Sequence, residues 1–238
     1  MFGNCDFIQR VGLLDRANLI GLYRLDEPSG DSIDYSLLGN NGSWGGDETR
    51  RSYDSPDGRK VVETAQPGNN SLDIYSSDFN SNFNGNEFSL FFLYRTDTAG
   101  RWTDNNNLYL CMFYVDSSNR ILIKKDNGNT MDIIHIGGGT NRTINGTRHD
   151  DANWHTLLVR YQIGVGNFQV YSDGVLADSQ NSGGTYSGSL DSTQTCLFAQ
   201  NSSTGINEWV GGIACAAIWK TFISDAIRDA LIHNGRLV

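Results

Sequence analysis

Three prolines in 238 residues, four cysteines, four histidines and a charged fraction of only 19% put several kinds of protein out of reach. So little proline excludes a polyproline or collagen-like rod. Cys5, Cys111, Cys196 and Cys215 are too sparse for a disulfide scaffold, and no C-x-x-C spacing marks a zinc site. Three of them sit in apolar runs where a reduced thiol behaves as a small hydrophobe; buried thiols and one disulfide both remain open. No apolar stretch is long enough for a bilayer. At the N-terminus Asp6, Arg10, Asp15 and Arg16 interrupt the run, so neither a secretory signal nor an anchor is expected there. Basic residues number 18 against 27 acidic ones, and a formal charge of -9 repels phosphate backbones and anionic lipid, so no nucleic acid and no membrane is expected as a partner. The doublets Arg50-Arg51 and Lys124-Lys125 are too short to reverse this and read as solvated strand or loop ends.

What the chain does have is 27 glycines and much Asn, Ser and Thr, a composition that suits many strands joined by tight polar turns. Sequons at Asn41, Asn69, Asn141, Asn145 and Asn201 follow from that richness in Asn and, without a signal, predict no glycosylation. Strand patterns recur roughly every eight to twelve residues, the spacing of an all-β sandwich. They cover residues 19–25, 88–95, 107–115, 120–125, 131–136, 154–162, 168–172, 175–178, 195–199 and 210–219. Asp173-Gly174 predicts a two-residue type I′ hairpin, and Asn127-Gly128 a less clean one. The small apolar run VGGIACAAIW at 210–219 predicts a strand covered on both faces. One helix follows, capped by Ser224, with Ile227 and Leu231 on one side and a stop at Asn234-Gly235; it is expected to plug an edge of the sandwich.

Several segments resemble the laminin G-like branch of the concanavalin A-like jelly rolls. The opening positions are Tyr23, Leu25, Asp26, Glu27, Ser29, Gly30, Asp34, Ser36, Gly39 and Gly42. EFSLFFLYRTD from Glu87 is similar to the family's first long strand, WHTLLVRY from Trp154 to its Trp-His strand, FQVYSDGVLA from Phe168 to its Asp-Gly hairpin, and VGGIACAAIW with the Ser224 helix to its close. The resemblance implies an all-β, two-sheet antiparallel jelly-roll sandwich with one short C-terminal helix, spanning 19–238 behind an N-terminal arm at 1–18. It implies little about function, because this fold hosts lectins, glycanases, lyases and adhesins.

Glycoside hydrolysis needs two carboxyl groups facing each other across a sugar. The acidic pairs present, Asp26-Glu27 and Asp150-Asp151, are adjacent rather than alternate, so catalysis is not expected. The segment His149-Asp150-Asp151-x-x-Trp154-His155 has good metal-ligand types, but a turn launching a strand explains it as well. Asp34, Ser36, Asn40 and Asn41 offer oxygens for calcium, as relatives are thought to use in this loop; the alternative is that Asp34 simply forms the turn. No other cofactor is suggested. Trp102, Tyr53, Trp44 and Tyr186 are candidates for a sugar-binding plate or partner contact, Trp102 alternatively covering the core's edge.

The opening arm carries Phe7, Ile8, Val11, Leu13 and Leu14 with no charge run, more apolar surface than a solvated tail should expose. Its lead-in, the Tyr-x-Leu-Asp-Glu strand and the Asp-x-Ser loop resemble laminin G-like proteins of tailed bacteriophages. That resemblance implies a non-enzymatic virion surface protein, a capsid decoration or tail or fibre component, assembled in the host cytoplasm with neighbouring virion proteins or further copies of itself as partners and glycans as additional contacts. A calcium-dependent extracellular lectin is the alternative, and a glycan-cleaving enzyme comes third.

Overall fold

The structure, a computed structural model, describes residues 15–46, 49–56, 58–64, 70–164, 167–201 and 207–234, and omits the side chains of 49–54 and 233–234. The arm residues Phe7, Ile8, Val11, Leu13 and Leu14, together with Cys5 and the stop at Gly235, lie outside the described residues. In chain order the strands are β1 (Leu19–Tyr23), β2 (Ser43–Gly45), β3 (Thr49–Asp54), β4 (Lys60–Thr64), β5 (Ser71–Asp73), β6 (Glu87–Tyr94), β7 (Leu108–Asp116) and β8 (Asn119–Lys125). They continue as β9 (Met131–Gly137), β10 (Thr140–Gly146), β11 (His155–Gln162), β12 (Asn167–Ser172), β13 (Val175–Gln180), β14 (Thr195–Leu197) and β15 (Gly211–Trp219). Helices α1 (Ser77–Asn82) and α2 (Asp225–Asn234) complete the set, with a 3₁₀ turn at Ala99–Thr103. None of the described helices is long and apolar enough to cross a membrane.

Two antiparallel sheets stack as a jelly roll. One runs β13-β12-β11-β6-β15-β4-β3, with β1 also pairing with β15, and the other runs β10-β9-β8-β7-β14-β5-β2. Alternation along the strands divides the side chains. In β6, Phe88, Leu90, Phe92 and Tyr94 enter the core between the sheets, while Phe91 and Leu93 join a second cluster on the outer face. That outer cluster includes Ala217 and Trp219 of β15 and Ile227 and Leu231 of α2, so α2 covers the outer face of the first sheet rather than plugging an edge. Double cover explains why β6 and β15 read as unbroken apolar runs. Ser224 caps α2 as expected, its Oγ accepting from the backbone N–H of Ile227 at 3.4 Å.

Arg160 on β11 points to this outer face and is buried there. Its guanidinium donates to Ile223 O at 3.0 Å, Asp225 Oδ1 at 2.8 Å and Gln169 Oε1 at 2.5 Å, and lies 4.4 Å from the Phe222 ring centroid. The cation therefore clips α2 to the sheet by a route that periodicity does not reveal.

Asp173 and Gly174 take φ values of 47° and 79°, as a type I′ hairpin requires. At the β8–β9 turn the expectation fails: the positive φ falls on Asn129, at 68°, and Asp126 closes a longer loop by accepting from the Thr130 N–H at 2.8 Å. Cys111 and Cys196 are buried free thiols, and Cys215 is buried as well.

His135 of β9 is enclosed in the main core. Its ring stacks on Tyr161 at 3.9 Å and its Nε2 bonds Gly85 O at 2.8 Å. Burial pushes its pKa down to about 4, only partly opposed by that hydrogen bond. Below its ordinary pKa of 6.5 the unfolded chain takes up a proton that the folded chain refuses, so stability is lost between about pH 6.5 and 4. Denaturant melts should show the gap between parent and His135→Gln shrinking by about 3 kcal/mol across that window. A gap independent of pH would contradict a neutral buried imidazole.

Candidate functional site

The calcium candidate is built, but as a staple. Asp34 Oδ1 accepts from the N–H groups of Leu22 and Ser36, both at 2.8 Å, and Oδ2 from Ser36 Oγ at 2.7 Å and Asn40 N–H at 2.8 Å. A carboxylate offers about four lone-pair sites, and here all are filled by protein donors. Asn41 Oδ1 accepts from Asp34 N–H at 3.0 Å and the Asn40 amide donates to Ile74 O at 2.6 Å. Asp34, Ser36, Asn40 and Asn41 do come together, with both Asp34 oxygens, Ser36 Oγ and Asn41 Oδ1 engaged in hydrogen bonds within the protein, as a turn-former's would be. Burial raises the Asp34 pKa despite these hydrogen bonds.

The staple turns the loop inside out. Ser32, Asp34 and Ser36 are buried, whereas Ile33, Tyr35 and Leu37 are 42%, 37% and 61% exposed. A strand-like segment normally buries its apolar side. Here the polar side is fixed inward by hydrogen bonds and three large apolar side chains are left facing solvent.

The proposed aromatic plate is corrected by burial. Trp102 is 1% exposed and covers the core, as its alternative reading had it; Tyr186 is 6% exposed, with its hydroxyl donating to Phe113 O at 3.4 Å. Trp44 is half-buried, stacked on Phe198 at 5.7 Å, and its indole N–H donates to Ser32 Oγ at 2.8 Å. The Tyr53 side chain lies outside the described ones.

A cleft of about 310 Å³ opens instead where β12 and β13 reach the sheet edge, lined by Asn167, Gln169, Ser179, Gln180 and Asn181. Its lining is uncharged and offers amide and hydroxyl groups. Gln169 Oε1 accepts from Arg160 and from the Tyr171 hydroxyl at 3.1 Å, and Gln180 donates to Thr143 O at 2.9 Å. Polar edge strands carry no apolar alternation, which is why sequence patterns did not mark this surface.

Each acidic pair is engaged separately. Asp26 pairs with Arg59 at 2.6 Å and Arg24 at 3.1 Å, while Glu27 Oε1 accepts from Ile33 N–H at 3.0 Å. Asp150 pairs with Arg148 at 2.5 Å, and Asp151 Oδ1 meets His155 Nε2 at 2.7 Å. Asp126 and Asp132 share the Thr130 hydroxyl, at 3.0 and 2.6 Å, on the β8–β9 turn.

The second nitrogen of His155 bonds Asp173 Oδ2 at 2.8 Å, and the His149 ring lies on that of His155 with centroids 3.5 Å apart and planes at 13°. Burial would lower the His155 pKa, but its bonds to Asp173 and Asp151 outweigh that and raise it. Burial first, then the neighbouring His155 charge, pushes His149 down to about 4. Burial tends to raise Asp151 and Asp173, yet their hydrogen bonds hold both below the usual carboxylate range. The segment from His149 to His155 was legible in sequence. Asp173 was read only as a turn residue; the signal was its hairpin pairing beside the Trp-His strand, with Leu157 opposite Ser172.

The structure of the receptor-binding domain of botulinum neurotoxin C/D mosaic serotype is similar, with a TM-score of 0.67 at 12% identity over 92% of this chain and 52% of that one. The binding domain of Paraclostridial Mosquitocidal Protein 1 gives 0.65 at 13% over 92% and 53%. A botulinum neurotoxin type C structure, concerned with cell entry through two ganglioside molecules, gives 0.60 at 14% over 94% and 53%. At such identities the likeness establishes the fold alone, and this chain spans about half the length of those proteins. No curated protein matches the sequence. The profile described as Concanavalin A-like lectin/glucanases superfamily, of laminin G type, matches residues 67–226, and over that majority of its length the chain belongs to this family.

Proposed function

We propose that this chain is a non-enzymatic binding module of the kind carried on the surface of tailed-phage virions, a capsid decoration or tail or fibre component that docks on neighbouring virion proteins or on its own copies. The observation that carries it is the inverted loop: Ile33, Tyr35 and Leu37 stand in solvent because the Asp34 staple commits the polar side of the segment inward. Exposed apolar groups grouped in this way mark contact surfaces. Separate engagement of Asp26 and Glu27, and of Asp150 and Asp151, supports binding over turnover. The resemblance of the N-terminal arm to phage proteins supports the virion setting, with assembly in the host cytoplasm. Particles purified from cells making an Ile33→Asp/Leu37→Asp chain should lack it, although the soluble variant melts at the parent's temperature. Full retention of that variant in particles would remove the reading.

A second reading, glycan recognition, is favoured by the amide-lined cleft, since Asn, Gln and Ser are the groups that satisfy sugar hydroxyls. Toxin binding domains of this fold include one in complex with SialylT and one tied to gangliosides, which agrees with a sugar as an additional ligand. On a glycan array, Asn167→Ala/Gln180→Ala should lose at least tenfold in signal on whatever the parent binds. An unchanged array would assign the sugars elsewhere or to none.

A further inference from the structure

We propose that His149, His155 and Asp173 form a site for one divalent transition-metal ion of the zinc class, with Asp151 holding the outer nitrogen of His155. One ligand atom from each of the three residues lies within 4.8 Å of the others, close enough for a small cation to gather them. His155 Nδ1 and Asp173 Oδ2, 2.8 Å apart, share a proton that an ion can replace. On the far side, His155 Nε2 meets Asp151 Oδ1 at 2.7 Å. A carboxylate on the second nitrogen of a histidine is the arrangement that fixes ring orientation and raises ligand basicity in metal sites.

His149 supplies the independent observation. The residue is 9% exposed, its Nε2 is buried without a hydrogen-bond partner among the described residues, and its nearest approach to a carboxylate is 3.8 Å, to Asp173. Tyr94 Oη and Trp102 Nε1 are also buried without a partner among the described residues, and their rings lie 6.4 and 6.1 Å from that of His149. An unmet buried imidazole nitrogen beside a histidine–carboxylate pair calls for a ligand or an ordered water. Stacked rings cannot bind one ion as they lie, because imidazole lone pairs stay in the ring plane and parallel planes do not meet. With no hydrogen bond to break, a swing of the His149 ring that brings a nitrogen toward the His155–Asp173 pair costs its stack on His155 and its edge contacts with Tyr94 and Trp102.

Two imidazole nitrogens and one carboxylate suit zinc-class ions and leave a coordination position for water, whereas calcium and magnesium demand more oxygens. Asp151, Asp173 and Asp150 surround the site with negative charge, and of these Asp150 is already paired with Arg148.

Calorimetric titration of the chelator-stripped full chain with Zn²⁺ tests this, with Co²⁺ absorption as the geometry probe and Ca²⁺ as the hard-cation control. Expected are one Zn²⁺ per chain, a higher melting temperature, a tetrahedral cobalt spectrum and no response to Ca²⁺. Asp151→Asn, which leaves all three ligands in place, should weaken binding about 10- to 100-fold, and His149→Gln by at least as much. Circular dichroism establishes that each variant is folded; should His149→Gln unfold, Asp151→Asn carries the test. Absence of saturable Zn²⁺ binding, or binding unchanged in the folded variants, would overturn the proposal.

Discussion

Replacing Ala216 with Asp is expected to yield a chain that does not fold, while Ser187→Asp melts within about 2 °C of the parent. Ala216 is wholly buried in β15, opposite Tyr23 of β1 and Phe92 of β6, and its side chain enters the core between the sheets. No cation belongs to that cluster, so a carboxylate there is either desolvated without a counter-charge or protonated at high cost. A penalty of several kcal/mol is comparable with the roughly 5–15 kcal/mol that holds a domain together. Ser187 is exposed; what it gives the fold is its backbone N–H, donated to Asn119 Oδ1 at 3.0 Å, which Asp retains. Equal melting temperatures for the two variants would contradict a double-covered β15.

Asp34→Ala is expected to cost about 3–5 kcal/mol, or about 10 °C in melting temperature. The substitution strips acceptors from three backbone N–H groups and one hydroxyl, and the Leu22 N–H belongs to a strand whose five residues are all buried. Each buried donor left without a partner costs about 1–3 kcal/mol, less where water can reach it. Asp34→Asn keeps one acceptor oxygen and should lose about half as much. Added Ca²⁺ should not move the melt of the chelator-stripped parent, because the Asp34 lone pairs are already used. A chelator-induced drop that Asp34→Ala abolishes would restore calcium to this loop.

Much of the sandwich was legible because its central strands are either apolar throughout, as in β15, or strictly alternating, as in β9, where buried Met131, Ile133 and His135 are separated by half-buried residues. The Asp-Gly hairpin was legible for the same local reason, since few residues other than Gly, Asn and Asp tolerate two successive positive φ values. Edge strands escaped. In β10, TNRTING, Ile144 alone is buried, and β3 is nearly all polar, so neither carries a period. The site residues divide in the same way. Asp34 and His155 stand in recognisable segments, but the partners that decide their roles are brought in by tertiary pairing: Leu22 from 12 residues away for one, Asp173 from 18 for the other. Trp102 lies in a polar stretch and looked exposed; a 3₁₀ turn folds it back over the core.

The inverted loop at 32–37 bears most of the functional reading, and sedimentation of the purified full chain tests it directly. Parent protein should assemble above its 26.3 kDa monomer mass, while an equally stable Ile33→Asp/Leu37→Asp chain should sediment as the monomer. A parent that stays at 26.3 kDa at every concentration, indistinguishable from the double variant, would show that these side chains make no contact between copies and would contradict docking of this surface on its own copies.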